Sequence, residues 1–218
     1  LFSNGNTGTV DNSGIIDLTG DKSIGIYSMG TNSQIINNNT GGEIKVGDSS
    51  NISDPSIGIY SSIAGSTVTN SGSVTSGTDS IGIYSVGGTV NNNGISNVGN
   101  AGIGIYSTNG TVNLNTGSVM NMGIDGAVAV YGISSAVNNS ADLNIGEGNY
   151  GFILEDGSFI NGTGTNSTVG KDSVYTYSTK GTMITNNGNV TMTGSNNVGF
   201  YMAQDPASGT GGAVMVNN

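Results

Sequence analysis

The chain of 218 residues carries 14 acidic side chains against four lysines, a formal net charge of −10, with 39 glycines and 34% hydrophobic residues. It is long enough to bury a sizeable core, yet with three Glu and no Arg it is too poor in helix formers for an ordinary helical globule, and its Gly, Asn, Ser and Thr favour turns and strands. Four lysines cannot neutralise a phosphate backbone, which excludes nucleic-acid binding, and disorder is opposed by a charged fraction of only 8% and by Ile, Val and Tyr at fixed intervals.

Taken in chain order, one motif recurs eight times: Ile24-Gly-Ile-Tyr27, Ile57-Gly-Ile-Tyr60, Ile81-Gly-Ile-Tyr84, Ile103-Gly-Ile-Tyr106, Val128-Ala-Val-Tyr131, Tyr150-Gly-Phe-Ile153, Val174-Tyr-Thr-Tyr177 and Val198-Gly-Phe-Tyr201. Their starts are separated by 33, 24, 22, 25, 22, 24 and 24 residues. A second motif interleaves with the first at Thr9–Asn12, Thr67–Asn70, Thr89–Asn92, Ala136–Asn139 and Met183–Asn186, with weaker copies at Ile36, Val112, Ile160 and Val216. A third apolar position, Ile16, Val74, Leu143 or Val190, follows four residues after the closing Asn, with Ser96 as the exception.

Each period therefore holds three short alternating segments separated by turn residues, which predicts three strands per rung. A period near 22–25 residues with tolerated insertions describes an all-β, parallel β-helix, a solenoid of about eight to nine rungs running over 1–218 as one segment. The chirality of parallel crossovers favours the right-handed form. Strict alternation places Ile24, Ile26, Ile57, Ile59, Ile81, Ile83, Ile103 and Ile105 inside in two vertical files, with Gly25, Gly58, Gly82 and Gly104 outside. One rung buries ~5 apolar side chains at about 2 kcal/mol each. Ordering its ~22 residues costs on the order of 22 to 44 kcal/mol of backbone entropy, so stability must belong to the stacked array.

Irregular spacing predicts insertions near 48–55, 120–125 and 203–212. Both prolines, Pro55 and Pro206, fall in them, as expected of a residue that cannot donate to a strand ladder. No run approaches the length of a membrane-spanning helix, and Leu1 to Val10 has neither the basic start nor the apolar stretch of a signal peptide. The chain reads as an internal segment of a longer protein.

His, Cys and Arg are all absent, so Ser-His-Asp and Cys-His catalysis and His- or Cys-ligated zinc are impossible. Only carboxylates remain. Asp21, Asp54, Asp79, Asp125, Glu147 and Asp172 each lie two or three residues before the first motif, where stacking would gather them on one edge. Such an edge suits turn chemistry, calcium binding or paired-acid glycoside hydrolysis. Turn chemistry is the reading that Asp favours, and no cofactor is expected. The closing asparagines Asn12, Asn70, Asn92, Asn139 and Asn186 predict an amide ladder, each side chain bonding the next. Seven tyrosines close the first motif, Tyr27, Tyr60, Tyr84, Tyr106, Tyr131, Tyr177 and Tyr201, with Ile153 interrupting. Alternation puts them outside in one file, each beside a glycine that leaves its ring face uncovered, as a stabilising stack or a ligand-contacting wall. With Asp54 and Asp205 in the first and third insertions, these are the candidate ligand-binding residues.

The alternation of Gly-Thr-Val-x-Asn-x-Gly with Ser-Ile-Gly-Ile-Tyr-Ser, as in Gly88–Gly94 followed by Gly102–Ser107, resembles passenger domains of the large fusobacterial outer-membrane autotransporter adhesins, over essentially the whole chain. The resemblance implies a passenger on the cell surface, exported and anchored by a carboxy-terminal β-barrel outside this chain. It also implies attachment to host cells or other bacteria through a surface glycan or protein receptor. The matching motifs are structural, so no binding residue carries over. The alternative function is a β-helix polysaccharide-degrading or tailspike-like enzyme domain, whose mark would be carboxylates converging in a groove.

Overall fold

A computed structural model describes residues 1–4, 7–204 and 214–217 of the chain. Its described part is a parallel β-solenoid of about eight turns, with no helix among the described residues. Nine strands from Phe2–Asn4 to Val198–Met202 form a first sheet, which carries the first motif. Nine from Thr9–Asn12 to Val214–Asn217 form a second sheet, which carries the second motif. Five strands from Ile15–Leu18 to Val119–Met122 make a third sheet, and three, Asn144–Ile145, Asn166–Val169 and Asn189–Met192, make a fourth. Eight steps at about 4.8 Å give a rod of roughly 40 Å.

Like residues stack on like because the register places equivalent motif positions opposite one another: Ile81 on Ile103, Tyr84 on Tyr106, Thr89 on Thr111, Val90 on Val112. Two weak copies of the second motif sit one residue away from their expected place. Phe159, not Ile160, pairs with Val137 and is fully buried, and Met215, not Val216, pairs with Ile184. A one-residue slip exchanges the two faces of a strand, so Ile160 and Val216 lie at the surface.

The interior corrects the expected alternation. Ile26, Ile59, Ile83 and Ile105 are fully buried in the main core, but the glycines before them point inward as well. A Cβ on Gly58 would stand 2.6 Å from the Gly82 carbonyl oxygen and 2.9 Å from a Val74 methyl, and one on Gly25 would meet Gly58 and Ile44. First-sheet backbone thus approaches third-sheet side chains too closely for any side chain at these positions. Ile57, Ile81, Ile103 and Val128 are displaced to a second apolar cluster on the outside, where they pack against Tyr60, Tyr84, Tyr106 and Tyr131. Ile24, at the same position, is the exposed end of that file.

The predicted amide ladder is present and longer than expected. Asn12 donates to Asn38 at 2.8 Å, Asn38 to Asn70 at 2.9 Å and Asn70 to Asn92 at 2.8 Å. It resumes from Asn139 to Asn161, Asn186 and Asn217 at 2.8–2.9 Å. Between the two runs stands Leu114, and Asn92 turns instead toward the Met120 sulfur at 3.5 Å. The break between third and fourth sheets falls at the same level, where no backbone hydrogen bond joins 118–123 to 141–145. Beyond it the core becomes aromatic. Tyr175 occupies a glycine position of the motif with its ring fully buried beside Phe152 and Phe159. Ser167, standing where Leu143 and Val190 stand on neighbouring turns, leaves it room.

Candidate functional site

The tyrosines form the outer file that the repeat predicts, but with a different surface. Phe2, Tyr27, Tyr60, Tyr84, Tyr106 and Tyr131 stack in one column, their tyrosine centroids 4.8–5.3 Å apart and successive planes within 5–22° of parallel. Ile153 interrupts it, and Tyr177 and Tyr201 form a second pair at 5.1 Å. The expected uncovered faces are therefore absent along the column, because each face is taken by the ring of the next turn. The neighbour on the strand is an isoleucine or valine instead of an open glycine. What remains to solvent is a ladder of ring edges and hydroxyls over a recessed aliphatic floor.

The insertion at 48–55 turns part of this wall into a groove. Ten residues, 47–56, join Val46 to Ile57, where four, 77–80, suffice on the next turn. The loop is tied down by its own polar groups: Ser49 N–H donates to the Thr78 carbonyl at 2.9 Å, Ser49 and Ser80 hydroxyls meet at 3.1 Å, and Ser53 N–H donates to the Asn51 side chain at 2.8 Å. It leans along the rod, so that Ile52, Ser53 and Pro55 face Tyr84, Tyr106 and Tyr131 across a groove of about 400 Å³ floored by Ile81 and Ile103. Burial raises the Tyr84 and Tyr106 phenols above their ordinary pKa. Asp54 does not reach into this groove as a free acid; it pairs with Lys22, both largely exposed.

Charge gathers at the upper end of the column. Tyr131 donates to Glu155 at 2.5 Å and Lys180 donates to the other Glu155 oxygen at 2.7 Å. Lys180 first, then Tyr131, hold the Glu155 carboxyl below the usual carboxylate range, while burial and this hydrogen bond push the Tyr131 phenol well up. The acidic edge proves to be turn chemistry at three of its members: Asp79, Asp125 and Asp172 have φ of 51°, 58° and 56°, the left-handed region that Asp tolerates better than most residues. Glu147 and Asp172 share Lys171 at 2.8 and 2.9 Å. No group of three acids comes together among the described residues.

Asp205 and Pro206, with most of the 203–212 insertion, lie outside the described residues. The added length near 120–125 is divided: residues 119–122 are strand in register with 95–98, and four residues, 115–118, precede them against two, 93–94, on the turn before. Tyr175 was not legible as a core residue from alternation. Its hydroxyl donates to Asn161 at 2.9 Å, tying the first sheet to the amide ladder across the interior, and burial pushes its phenol up to about 12. No protein-family model, curated protein or solved structure matches this chain.

Proposed function

We propose that this chain is a non-enzymatic adhesive segment of a bacterial surface passenger, coiled as a right-handed β-helix with three strands in each turn. It would be held outside the cell by a barrel domain beyond this chain, and would attach to a glycan or protein receptor on host cells or other bacteria. The coil geometry is supported by strands that pair every third along the chain and by the handedness of parallel crossovers. The observation that carries the function is the groove in which the 48–55 loop overhangs the tyrosine column. It joins aromatic edges, an aliphatic floor and a loop on a rigid scaffold, the arrangement in which binding residues commonly sit. The carboxylates support the non-enzymatic reading: Asp54 and Glu155 are each engaged by a lysine, and Glu147 and Asp172 share another.

Replacing Tyr84 and Tyr106 together by Ser removes three ring contacts, an expected loss of about 1.5 to 4.5 kcal/mol. Adhesion to host and bacterial cells, normalised to folded protein, should also fall severalfold. Unchanged adhesion per folded molecule would reduce the column to a structural stack and sink the reading. Cleavage of a surface polysaccharide by the purified chain, lost in Asp125→Ala, Glu147→Ala or Glu155→Ala, would replace it with an enzymatic one.

A further inference from the structure

Composition and stacking together give the tyrosine column a further chemistry. The chain has no Trp and no Cys, so tyrosine is its most readily oxidised side chain in one-electron reactions; methionine reacts instead by gaining an oxygen atom. Five of the nine tyrosines, Tyr27, Tyr60, Tyr84, Tyr106 and Tyr131, stand half-buried in one column, neighbouring centroids 4.8, 5.1, 5.0 and 5.3 Å apart. Rings stacked face to face overlap from turn to turn, so an electron missing from one is supplied by the next. Ile153, paired with Tyr131 on the following turn and without a π system, closes the path beyond it.

The five rings differ in where a proton can go. A phenol that loses an electron becomes a strong acid, and the deficit stays where a base takes its proton. Tyr131 donates to one Glu155 oxygen at 2.5 Å, and Lys180 donates to the other at 2.7 Å. Among the described residues none of the other eight tyrosines donates to a carboxylate, and the Tyr175 hydroxyl goes to the amide oxygen of Asn161. The one proton acceptor therefore stands at the end of the column. Burial holds the Tyr84, Tyr106 and Tyr131 phenols above their ordinary pKa, so each meets an oxidant with its proton in place. Lys180 and then Tyr131 hold Glu155 below the usual carboxylate range, so at neutral pH it is the charged base.

We propose that the column is a one-electron relay and radical trap, in which an oxidising equivalent entering at any of its tyrosines settles on Tyr131. The oxidant is an external one-electron acceptor, such as a ferryl haem or an oxygen-centred radical, and it leaves reduced by one electron. The ring it oxidises is refilled by its neighbour until the deficit reaches Tyr131. Tyr131 then passes its phenolic proton along the hydrogen bond to Glu155. The products are a neutral tyrosyl radical and a neutral carboxylic acid, with Lys180 still charged. An external one-electron reductant reverses the step. The relay requires no receptor, so it stands or falls apart from the adhesive reading.

Because the chain has no Cys, a single introduced cysteine can carry a ruthenium polypyridyl photo-oxidant. Thr31→Cys places it on an exposed turn four residues beyond Tyr27, and Ser134→Cys at an exposed position three residues beyond Tyr131. Flash excitation with persulfate as electron acceptor, read by transient absorption and electron paramagnetic resonance, follows the tyrosyl radical. From the Thr31→Cys label a long-lived radical should form, and Tyr131→Phe should abolish it. Glu155→Gln keeps an acceptor for the Tyr131 hydroxyl but is no base. It should lower the yield at least about tenfold, short of the roughly hundredfold or more that a positioned base contributes. Tyr84→Phe and Tyr106→Phe keep a ring in the stack but are far harder to oxidise. Each should lower the yield severalfold from the Thr31→Cys label and leave it unchanged from the Ser134→Cys label. The proposal fails if the radical persists in Tyr131→Phe, if Glu155→Gln yields as much of it as the native residue, or if Tyr84→Phe and Tyr106→Phe change nothing from the Thr31→Cys label.

Discussion

Replacing Asn70 by Ala tests whether the amide ladder is a main support of the rod. Asn70 is fully buried; its amide donates to Asn92 at 2.8 Å and to the Ile95 carbonyl at 3.0 Å, and its oxygen accepts from Asn38 at 2.9 Å. Three hydrogen bonds, two buried and one part-buried, at about 1 kcal/mol net each give ~3 kcal/mol. The Ile95 carbonyl, left without its side-chain donor, and the vacated volume raise the expected loss to about 3–5 kcal/mol. Asn113→Ala is the matched control. Asn113 lies in a half-buried outer ladder between Asn91 and Asn138 at 2.8 and 2.9 Å, where water replaces lost partners, so its loss should stay near 1 kcal/mol. Urea denaturation followed by far-ultraviolet circular dichroism reads both, at equal slope. Equal losses for the two variants, or an Asn70→Ala loss below about 1 kcal/mol, would refute the assignment of stability to the inner ladder.

Gly58→Ala should destabilise by about 2–4 kcal/mol, because its Cβ would press on the Gly82 carbonyl oxygen at 2.6 Å; an unchanged urea midpoint would restore the outward-glycine register. Glu155 has a carboxyl pKa lowered by Lys180 and then Tyr131, so its contribution is present above the ordinary carboxylate pKa of about 4 and is lost as pH falls through the lowered value. The stability difference between wild type and Glu155→Gln should therefore shrink on acidification below about pH 4, and a difference that grows there would contradict the network. Hydrogen exchange should find the Asn144 amide, on the strand edge that faces the break between sheets, exchanging about tenfold or more faster than those of Thr168 and Gly170, which donate to the Leu143 and Ile145 carbonyls; equal protection would mean that the break does not weaken the rod.

The period, the strand pairing and the ladder were legible because identical residues return at identical turn positions, and stacking in register requires no more than that. Which side of a strand faces inward was less legible. In Ile-Gly-Ile-Tyr, alternation ranks both isoleucines as core, but the first is buried by a tyrosine file that runs across neighbouring turns and by a loop inserted earlier in the chain. The glycine is inward because third-sheet side chains approach it, a contact between residues about 16 positions apart in the case of Gly58 and Val74. Ile160 and Val216 misled for the same reason: in Phe159-Ile160 and Met215-Val216 two apolar residues are adjacent, and the choice between them is made by the pairing of the neighbouring strand. The tyrosine file and its stacking were legible and the uncovered faces were misread, since stacked rings cover one another.

The asparagine ladders have a direction. In the inner one every amide donates toward the following turn, from Asn12 to Asn38 to Asn70 to Asn92 and again from Asn139 to Asn161 to Asn186. That sense is locked because the same nitrogens also donate to backbone carbonyls at Ser73 and Ile95. The outer ladders run the other way, Asn138 to Asn113 to Asn91, Asn121 to Asn97 and Asn189 to Asn166. The inner and outer runs of aligned amide dipoles, opposed in sense, offset one another along the axis. The rod can therefore polarise each file cooperatively, as chains of hydrogen bonds do, without accumulating the end-to-end field that a long helix carries.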